Sequence, residues 1–272
     1  MRTVGGALLL LALLLVASNV GLFAQRWMRE HHRSRDTVDS VRLVITMLVT
    51  FAALVLGLLV TASKSSFDQQ TEMVRRFSTR LIELDFRLRE YGPQADPIRA
   101  VLRQYTAALI ASTWPSEPAP PGDYPSHLTP VTPKSFESGL LTGLFRQAVV
   151  MVDQLTPATP LQTRLAHVLA SAVGAVLDAR WAMHEGASPT LSWSFLLLLV
   201  LWLVIIFLVF GLVSPRNGVI QVVIMLSALS VASSVYLIAD LDSPFGGLLS
   251  VSSEPMRDAL FHMDQPTRPP LP

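Results

Sequence analysis

The sequence predicts an all-α membrane protein in which four transmembrane helices, arranged as two hairpins, flank a helical extramembrane domain. Of its 272 residues, 51% are hydrophobic and only 15% are charged, whereas soluble domains carry about 25% charged residues. Four uncharged runs reach the roughly 20 residues that a helix needs to cross the hydrocarbon layer. Convincing period-two patterns, which are typical of strands, are absent from the sequence.

The first hairpin is predicted at residues 1–64, with helices at 4–24 and 43–63. In lipid, backbone polar groups must be satisfied within the segment, so helix is the expected form of such runs. A secretory signal peptide is the alternative for the first run, because Arg2 precedes it. The run is longer than a usual signal core and matches a cleavage site poorly, which favours a retained helix.

A helical extramembrane domain is predicted at residues 65–187. Apolar residues recur at spacings of three and four over 73–88, with arginines on the other faces, so an amphipathic helix continues out of the second apolar run. Tyr91-Gly92-Pro93 is expected to end this helix. Further helices are expected around 98–109, 136–155 and 161–181. The proline-rich segment 114–134 is expected to be a surface loop.

The second hairpin is predicted at residues 188–240, with helices at 188–214 and 217–239. A buried helix of a soluble protein is the alternative for the first of these, but a run without any polar face argues against it. Proline and glycine in the short connection break the helix sharply, which predicts an antiparallel pair. Residues 241–272 are expected to form a C-terminal tail with a short interfacial segment.

Four spans place both termini and the central domain on one side of the membrane. The two short connections contain arginines, among them Arg26, Arg29 and Arg216. The positive-inside rule therefore predicts cytoplasmic connections and an exported central domain. Lys64 and Arg75 follow the second helix and favour the opposite orientation, so both orientations stay open.

Several classes of function find no support in the sequence. The chain has no cysteine, which excludes disulfides and thiolate chemistry, and its net charge of +1 gives no field that would recruit nucleic acid. No phosphate loop, nucleophile elbow or helical pair of metal-ligand histidines is found. His31 and His32 are adjacent, so they diverge by about 100° on a helix. We therefore expect no enzyme, no metal site and no cofactor.

Small and hydroxylated residues form a stripe on the second apolar helix, at spacings of four, three, four and four. The stripe consists of Thr46, Thr50, Ala53, Gly57 and Thr61, and the fourth helix has a shorter counterpart in Ser227, Ser230 and Ser234. In lipid, such stripes allow helices to pack closely and to form hydrogen bonds across the contact. Alternatively, the hydroxyls line a pore and replace part of an ion's hydration.

Asp240 and Asp242 lie at the end of the fourth apolar helix. Anions there oppose the helix dipole, and carboxylates at a membrane boundary are costly unless they are paired. The predicted topology brings this end near Lys64 and Arg180, so ion pairs with these two residues are candidates. A plain solvated helix end is the alternative.

Two groups of motifs resemble the bestrophin-like domain family of bacterial integral membrane proteins. The first group comprises Leu81-Ile82-Glu83-Leu84-Asp85, Tyr91-Gly92-Pro93, Arg99, Leu102, Arg103, Tyr105 and Trp114. The second comprises Leu241-Asp242-Ser243-Pro244-Phe245-Gly246-Gly247 and Val251-Ser252-Ser253-Glu254-Pro255. The resemblance covers most of the chain, includes the order of two helices, domain and two helices, and implies a multi-pass protein of the bacterial cytoplasmic (inner) membrane.

The chain is also similar, more distantly, to the true bestrophins, which are oligomeric anion channels. Pro244-Phe245-Gly246 resembles their Pro-Phe-Gly, but Gly247 and Leu248 follow where bestrophins have a calcium-binding acidic run. The resemblance implies a homo-oligomeric channel for small anions, with lipid and anions as its partners, and it does not imply calcium gating. The alternative is a non-transporting sensor or scaffold whose helical domain binds a partner.

Overall fold

The computed structural model describes residues 2–25, 35–124, 139–186, 193–215 and 217–265, and within these ranges the secondary structure is helical. The all-helical class expected from the sequence is therefore confirmed. The helices are α1 (Arg2–Ala24), α2 (Arg35–Tyr91), α3 (Asp96–Thr113), α4 (Gly139–Asp153), α5 (Pro160–Gly186), α6 (Trp193–Val213), α7 (Gly218–Leu241) and α8 (Glu254–Asp264), with a 3₁₀ turn at Pro93–Ala95.

Four of these helices are long and apolar enough to cross a membrane, as the sequence predicted. The qualifying segments are Val4–Ala24, Asp39–Tyr91, Ser194–Val213 and Gly218–Leu241. The second is much longer than a bilayer requires, because α2 continues without interruption from its apolar half into the amphipathic half expected at 73–88.

The chain divides into two compact units, each built from two separate parts of the sequence. The first unit comprises Met1–Phe67 and Pro189–Ser250. Its apolar core includes Leu14, Leu199 and Ile238, whose side chains are fully buried. Since α1 packs against both α6 and α7, it contributes directly to this core.

The approach of α1 to α6 depends on two glycines. A Cβ atom on Gly21 would lie 2.9 Å from the backbone nitrogen of Leu212, and one on Gly211 would lie 2.8 Å from the carbonyl carbon of Ser18. Both obstacles are backbone atoms, which cannot rotate away as a flexible side chain can. The close packing of these two helices therefore requires glycine at both positions.

The second unit comprises Asp68–Ser188 and Val251–Pro272. Apolar residues that recur on the second half of α2, among them Phe77, Leu81 and Leu88, are buried in it. The helix ends after Tyr91, and Gly92 adopts a φ of 108°, which glycine tolerates far better than other residues. Pro93 then opens the short 3₁₀ turn that leads into α3.

The last helix, α8, lies in the second unit and packs against α3. Met256, Leu260 and Met263 form its apolar face, and all three are buried. This helix lies within the predicted tail at 241–272, and the placement of a tail segment at the membrane interface stays a prediction. Of the proline-rich segment expected at 114–134, the structure describes residues up to 124, and these form no helix or strand. The remainder lies outside the described residues.

Candidate functional site

The first half of α2 has three faces with different chemistry. Ile45, Ala52 and Leu59 are buried in the core of the first unit. Large apolar side chains occupy a second, exposed face: Met47, Phe51, Leu54 and Leu58. The small and hydroxylated residues form the third face, whose centre lies about 140° from that of the buried face at about 100° per residue.

All five members of this third face are exposed: Thr46, Thr50, Ala53, Gly57 and Thr61. A Cβ atom added to Gly57 would meet no atom within 4 Å. The structure therefore leaves the stripe uncovered by the described residues of its own chain. If the stripe is a packing seam, its partner is not among the described residues of this chain.

The three threonine hydroxyls of the stripe form hydrogen bonds along their own helix. Thr46 donates to the carbonyl of Arg42 at 2.9 Å, Thr50 to that of Thr46 at 2.8 Å, and Thr61 to that of Gly57 at 2.9 Å. Each oxygen keeps lone pairs that point away from the carbonyl it binds. In this arrangement the face offers hydrogen-bond acceptors, and it offers a donor only when a hydroxyl rotates.

The serines of the shorter stripe lie beside, rather than opposite, the buried face of α7. Ser227 and Ser230 are exposed and Ser234 is half-buried. Ser227 donates to the carbonyl of Val223 at 2.9 Å and Ser234 to that of Ser230 at 3.1 Å. Ser227 and Ser230 thus form a polar flank of α7 that no described residue of this chain covers.

Asp240, one of the two carboxylates singled out at the end of α7, is buried. Its carboxylate accepts hydrogen bonds from the backbone N–H groups of Leu248 at 3.1 Å and Leu249 at 2.9 Å, and from the hydroxyl of Tyr236 at 3.3 Å. Gly247 lies against it, so closely that a Cβ atom there would be 2.7 Å from the carboxylate carbon. Asp240 therefore holds the loop that contains the Pro-Phe-Gly motif.

The loop motif itself has mixed exposure. Pro244 is buried, Phe245 is half-buried and Gly246 is exposed. The backbone N–H of Gly246 donates to the carbonyl of Ser243 at 3.2 Å, which closes a tight turn.

The other charges singled out at this boundary have different surroundings. Asp242 is half-buried, and Lys64 is exposed with its ammonium 5.7 Å from the ring centroid of Phe67. In the second unit, Arg180 donates to the hydroxyl of Thr142 at 3.0 Å and stacks over the ring of Phe145 at 5.4 Å. The pairing of Asp240 and Asp242 with Lys64 and Arg180 stays a prediction.

Arg99, a residue of the family motif, belongs to a network centred on Asp85. The Nε atom of Arg99 lies 2.8 Å from Oδ1 of Asp85, and the Nε atom of Arg89 lies 2.8 Å from Oδ2. Both arginines also donate to carbonyl oxygens at the end of α8, Arg89 to His262 and Arg99 to Met263. Cations at this position complement the helix dipole and satisfy carbonyls that lack a partner within the helix.

A third arginine completes the attachment of α8. Arg103 forms an ion pair with Asp264, and this hydrogen bond raises the pKa of the guanidinium above its ordinary value. At the other end, Arg257 pairs with Glu117 at 3.0 Å, and the indole of Trp114 donates to the carbonyl of Val251 at 2.7 Å. The sequence resemblance included Arg99, Arg103 and Trp114 but gave no indication that Arg99 and Arg103 bind the last helix and that Trp114 binds the segment just before it.

The remaining motif residues lie at the start of this network. Tyr91 is buried, and its carbonyl accepts a hydrogen bond from the side chain of Gln162 at 3.4 Å. Its hydroxyl has no hydrogen-bond partner among the described residues. Within the same residues, no group of three or more histidine, aspartate or glutamate side chains could hold a metal ion. His31 and His32 lie outside the described residues.

A family profile and several solved structures are similar to this chain. The profile of the Bestrophin-like domain family matches residues 11–256, while a comparison with curated proteins found no match. Two crystal structures of point mutants of a bacterial bestrophin homologue from Klebsiella pneumoniae are similar, both at 16% identity. One has a TM-score of 0.69 over 97% of this chain and 99% of that chain, and the other 0.66 over 96% and 100%.

A crystal structure described as a mutant membrane protein is also similar, with a TM-score of 0.65 at 16% identity over 95% of this chain and 99% of that chain. At such identities the likeness establishes the fold. The family follows from the profile, which covers most of the chain. The protein therefore belongs to the bestrophin-like domain family of membrane proteins.

Proposed function

We propose that this protein is an oligomeric membrane channel that conducts small anions. The observation that carries the proposal is the uncovered small and hydroxylated face of α2. A surface that meets lipid tails needs no hydroxyls, and the neighbouring face with Phe51 and Leu54 has the large apolar side chains that suit lipid. The small face is therefore better suited to a second copy of the chain or to water.

In one assembly, the small face of α2 can both pack against a second copy of the chain and line a pore. If copies surround a common axis, part of the small face packs against the next copy and part lines the axis. The stripe is about 22 Å long from Thr46 to Thr61, at 1.5 Å per residue, so it extends through most of a hydrocarbon layer about 30 Å thick. We propose Thr46, Thr50 and Thr61 as pore-lining residues, with Ala53 and Gly57 allowing close approach.

The preference for anions rests on the resemblance to bestrophins, because no cation belongs to the stripe. An anion needs hydrogen-bond donors, so each threonine hydroxyl must turn from its own helix carbonyl towards the ion. Rotation of an exposed hydroxyl is fast, so the same side chain can serve a passing anion and then return. A weak preference for anions over cations is what such a lining supports.

We place the protein in the bacterial cytoplasmic membrane with the second unit exported, following the arginines of the short connections. Ser116 is exposed in the second unit, whereas Ser34 lies between α1 and α2 in the sequence. Because the chain contains no cysteine, a cysteine at either position is the only thiol. We expect an impermeant maleimide to label Ser116→Cys in cells with a permeable outer membrane, and not Ser34→Cys. The reverse pattern would overturn the orientation.

The proposed activity is tested with purified protein in liposomes loaded with chloride. We expect chloride efflux above that of empty vesicles. In a chloride gradient, the reversal potential should shift from zero towards the equilibrium potential of chloride. Chemical crosslinking of the same sample should give a ladder of discrete oligomers. The absence of flux across a range of pH and voltage, in protein that remains folded, would contradict the proposal.

A further inference from the structure

A cavity of about 280 Å³ opens between α4 and α5 in the second unit. Its wall is mostly apolar and aromatic, and it includes two arginines and a histidine. The residues that matter here are Thr142, Phe145, Arg146, Arg180, Trp181 and His184. Ligand cavities in proteins commonly enclose about 300–1,000 Å³, so this one has the size for a small molecule with one ring.

The lining of the cavity includes the guanidinium of Arg180. Arg180 has no carboxylate partner among the described residues; it donates to Thr142 and stacks over Phe145 and Tyr105, at 5.4 and 6.0 Å from the ring centroids. Burial raises the pKa of Tyr105 to about 12, so its phenol is neutral at pH 7 and cannot serve as a counter-ion. Most of the five N–H donors of this guanidinium are therefore available.

The other residues that line the cavity disfavour a small inorganic anion. Trp181 is 54% exposed and packs edge-on against His184 at 5.9 Å between ring centroids. The Nδ1 atom of His184 is buried and has no hydrogen-bond partner among the described residues. A hydrated anion would lose water against these apolar surfaces without replacement, whereas an aromatic ring would gain contact area there.

We propose that this cavity binds a small aromatic carboxylate, with its ring against Phe145 and Trp181 and its carboxylate on Arg180. The planar guanidinium matches a carboxylate through two parallel hydrogen bonds. Arg146, which is exposed at the rim, adds a second positive charge. The site is independent of the proposed pore, and its test measures binding rather than flux.

Benzoate is the probe and benzamide is its neutral control, of nearly the same shape. Full-length protein in detergent is titrated with each by isothermal titration calorimetry. The fluorescence of Trp181 is followed in parallel as the difference between the wild type and Trp181→Phe, because the chain contains five tryptophans. We expect saturable binding of benzoate and at least about tenfold weaker binding of benzamide, since a hydrogen bond to a charged group is worth more than a neutral one. Equal affinities for the two would overturn the proposal, as would the absence of benzoate binding.

Arg180→Gln keeps the length and polarity of the side chain but removes the charge, and we expect at least about tenfold weaker benzoate binding. Arg164→Gln is the matched control, because Arg164 lies on the same helix outside the cavity, and it should bind as the wild type does. If Arg180→Gln does not fold, Trp181→Leu replaces it and should also weaken binding. Wild-type affinity in either cavity variant would contradict the assignment.

A second copy of the chain is the competing occupant of this cavity. Acrylamide quenching of Trp181, read as the difference between wild type and Trp181→Phe, distinguishes the two. We expect quenching in the assembled protein and protection from it by benzoate. A Trp181 that is already shielded in the oligomer and becomes accessible on dissociation would mean that a neighbouring copy fills the cavity, which would overturn the ligand site.

Discussion

Asp85 and Arg99 form an ion pair across the bend between α2 and α3, with 2.8 Å between Oδ1 and Nε. Their side chains are only 4% and 13% exposed. Arg89 occupies the second carboxylate oxygen, so one buried carboxylate holds two arginines that both reach the end of α8. This carboxylate therefore joins three helices of the second unit.

We expect Asp85→Asn to destabilise the second unit by about 3–5 kcal/mol, because it removes the buried counter-ion that Arg89 and Arg99 share and leaves Arg99 only the exposed carboxylate of Asp96, at 3.6 Å. The measurement is the apparent melting temperature of purified protein in detergent. Glu72→Gln is the control: it breaks the exposed pair with Arg76 on the same helix, which is worth about 0–1 kcal/mol. Similar losses in both variants would contradict a special role for Asp85.

Gly211→Ala should disrupt the first unit, because its methyl group would be forced against the backbone of Ser18. We expect low yield and aggregation on size-exclusion chromatography. Gly6→Ala adds the same methyl group in open space and should behave as the wild type. A monodisperse Gly211→Ala protein with unchanged melting would show that α1 and α6 separate easily.

Two adjacent glycines in the Pro-Phe-Gly loop test the role of Asp240. Gly247→Ala would press a methyl group against the carboxylate and displace the loop, whereas Gly246→Ala meets no atom within 4 Å. Gly246 and Gly247 have no positive φ in the structure, so backbone strain does not distinguish them. We expect a lower melting temperature and faster proteolysis at this loop in Gly247→Ala only. Equal melting temperatures and equal proteolysis in Gly246→Ala and Gly247→Ala would mean that the carboxylate of Asp240 moves aside easily.

The raised pKa of Tyr105 predicts that the free energy of unfolding falls at alkaline pH. Its pKa is about 12 in the folded protein because of burial, against about 10 in an unfolded chain. The unfolded state binds fewer protons above pH 10, so stability falls from there to about pH 12, by about 2–3 kcal/mol in total. Over this range the melting temperature of the wild type should fall relative to that of Tyr105→Phe, which has no phenol to ionise. Parallel curves would contradict the raised pKa.

The stripe on α2 is tested by Thr50→Val and Gly57→Leu. Neither change meets an obstacle within the described chain, so both should leave the fold of a single copy intact. If Thr50 lines a pore, its valine variant keeps the oligomer and changes conductance or selectivity. If Gly57 packs against another copy, its leucine variant abolishes assembly. A wild-type oligomer with wild-type flux in both variants would exclude the stripe from pore and interface alike.

The helices of this protein could be predicted from sequence because length and periodicity alone determine them. A run of about 20 uncharged residues has no alternative to helix in lipid, and the spacing of Phe77, Leu81 and Leu88 specifies the face that the second unit buries. Gly92 and Pro93 end α2 for local reasons that are equally visible in the sequence.

The partners of these elements could not be predicted, because they depend on residues that are distant in the chain. Gly21 and Gly211 interrupt apolar runs without any periodic signal, and their importance appears only when the opposing backbone is present. The sequence predicted cations beside Asp240 but gave no sign of the hydrogen bonds that its carboxylate accepts from the backbone N–H groups of Leu248 and Leu249. Arg180 likewise has rings beside it that no sequence pattern indicated.

The attachment of α8 has a consequence for biosynthesis. Both units contain an early and a late portion of the chain, and α8 lies after the last apolar helix. Arg89, Arg99 and Arg103 are therefore translated long before their partners at the end of α8, which are the carbonyls of His262 and Met263 and the carboxylate of Asp264. The second unit lacks α8 until α6 and α7 have been synthesised. We therefore expect its folding to be completed after the apolar helices have been inserted and α8 has been translated.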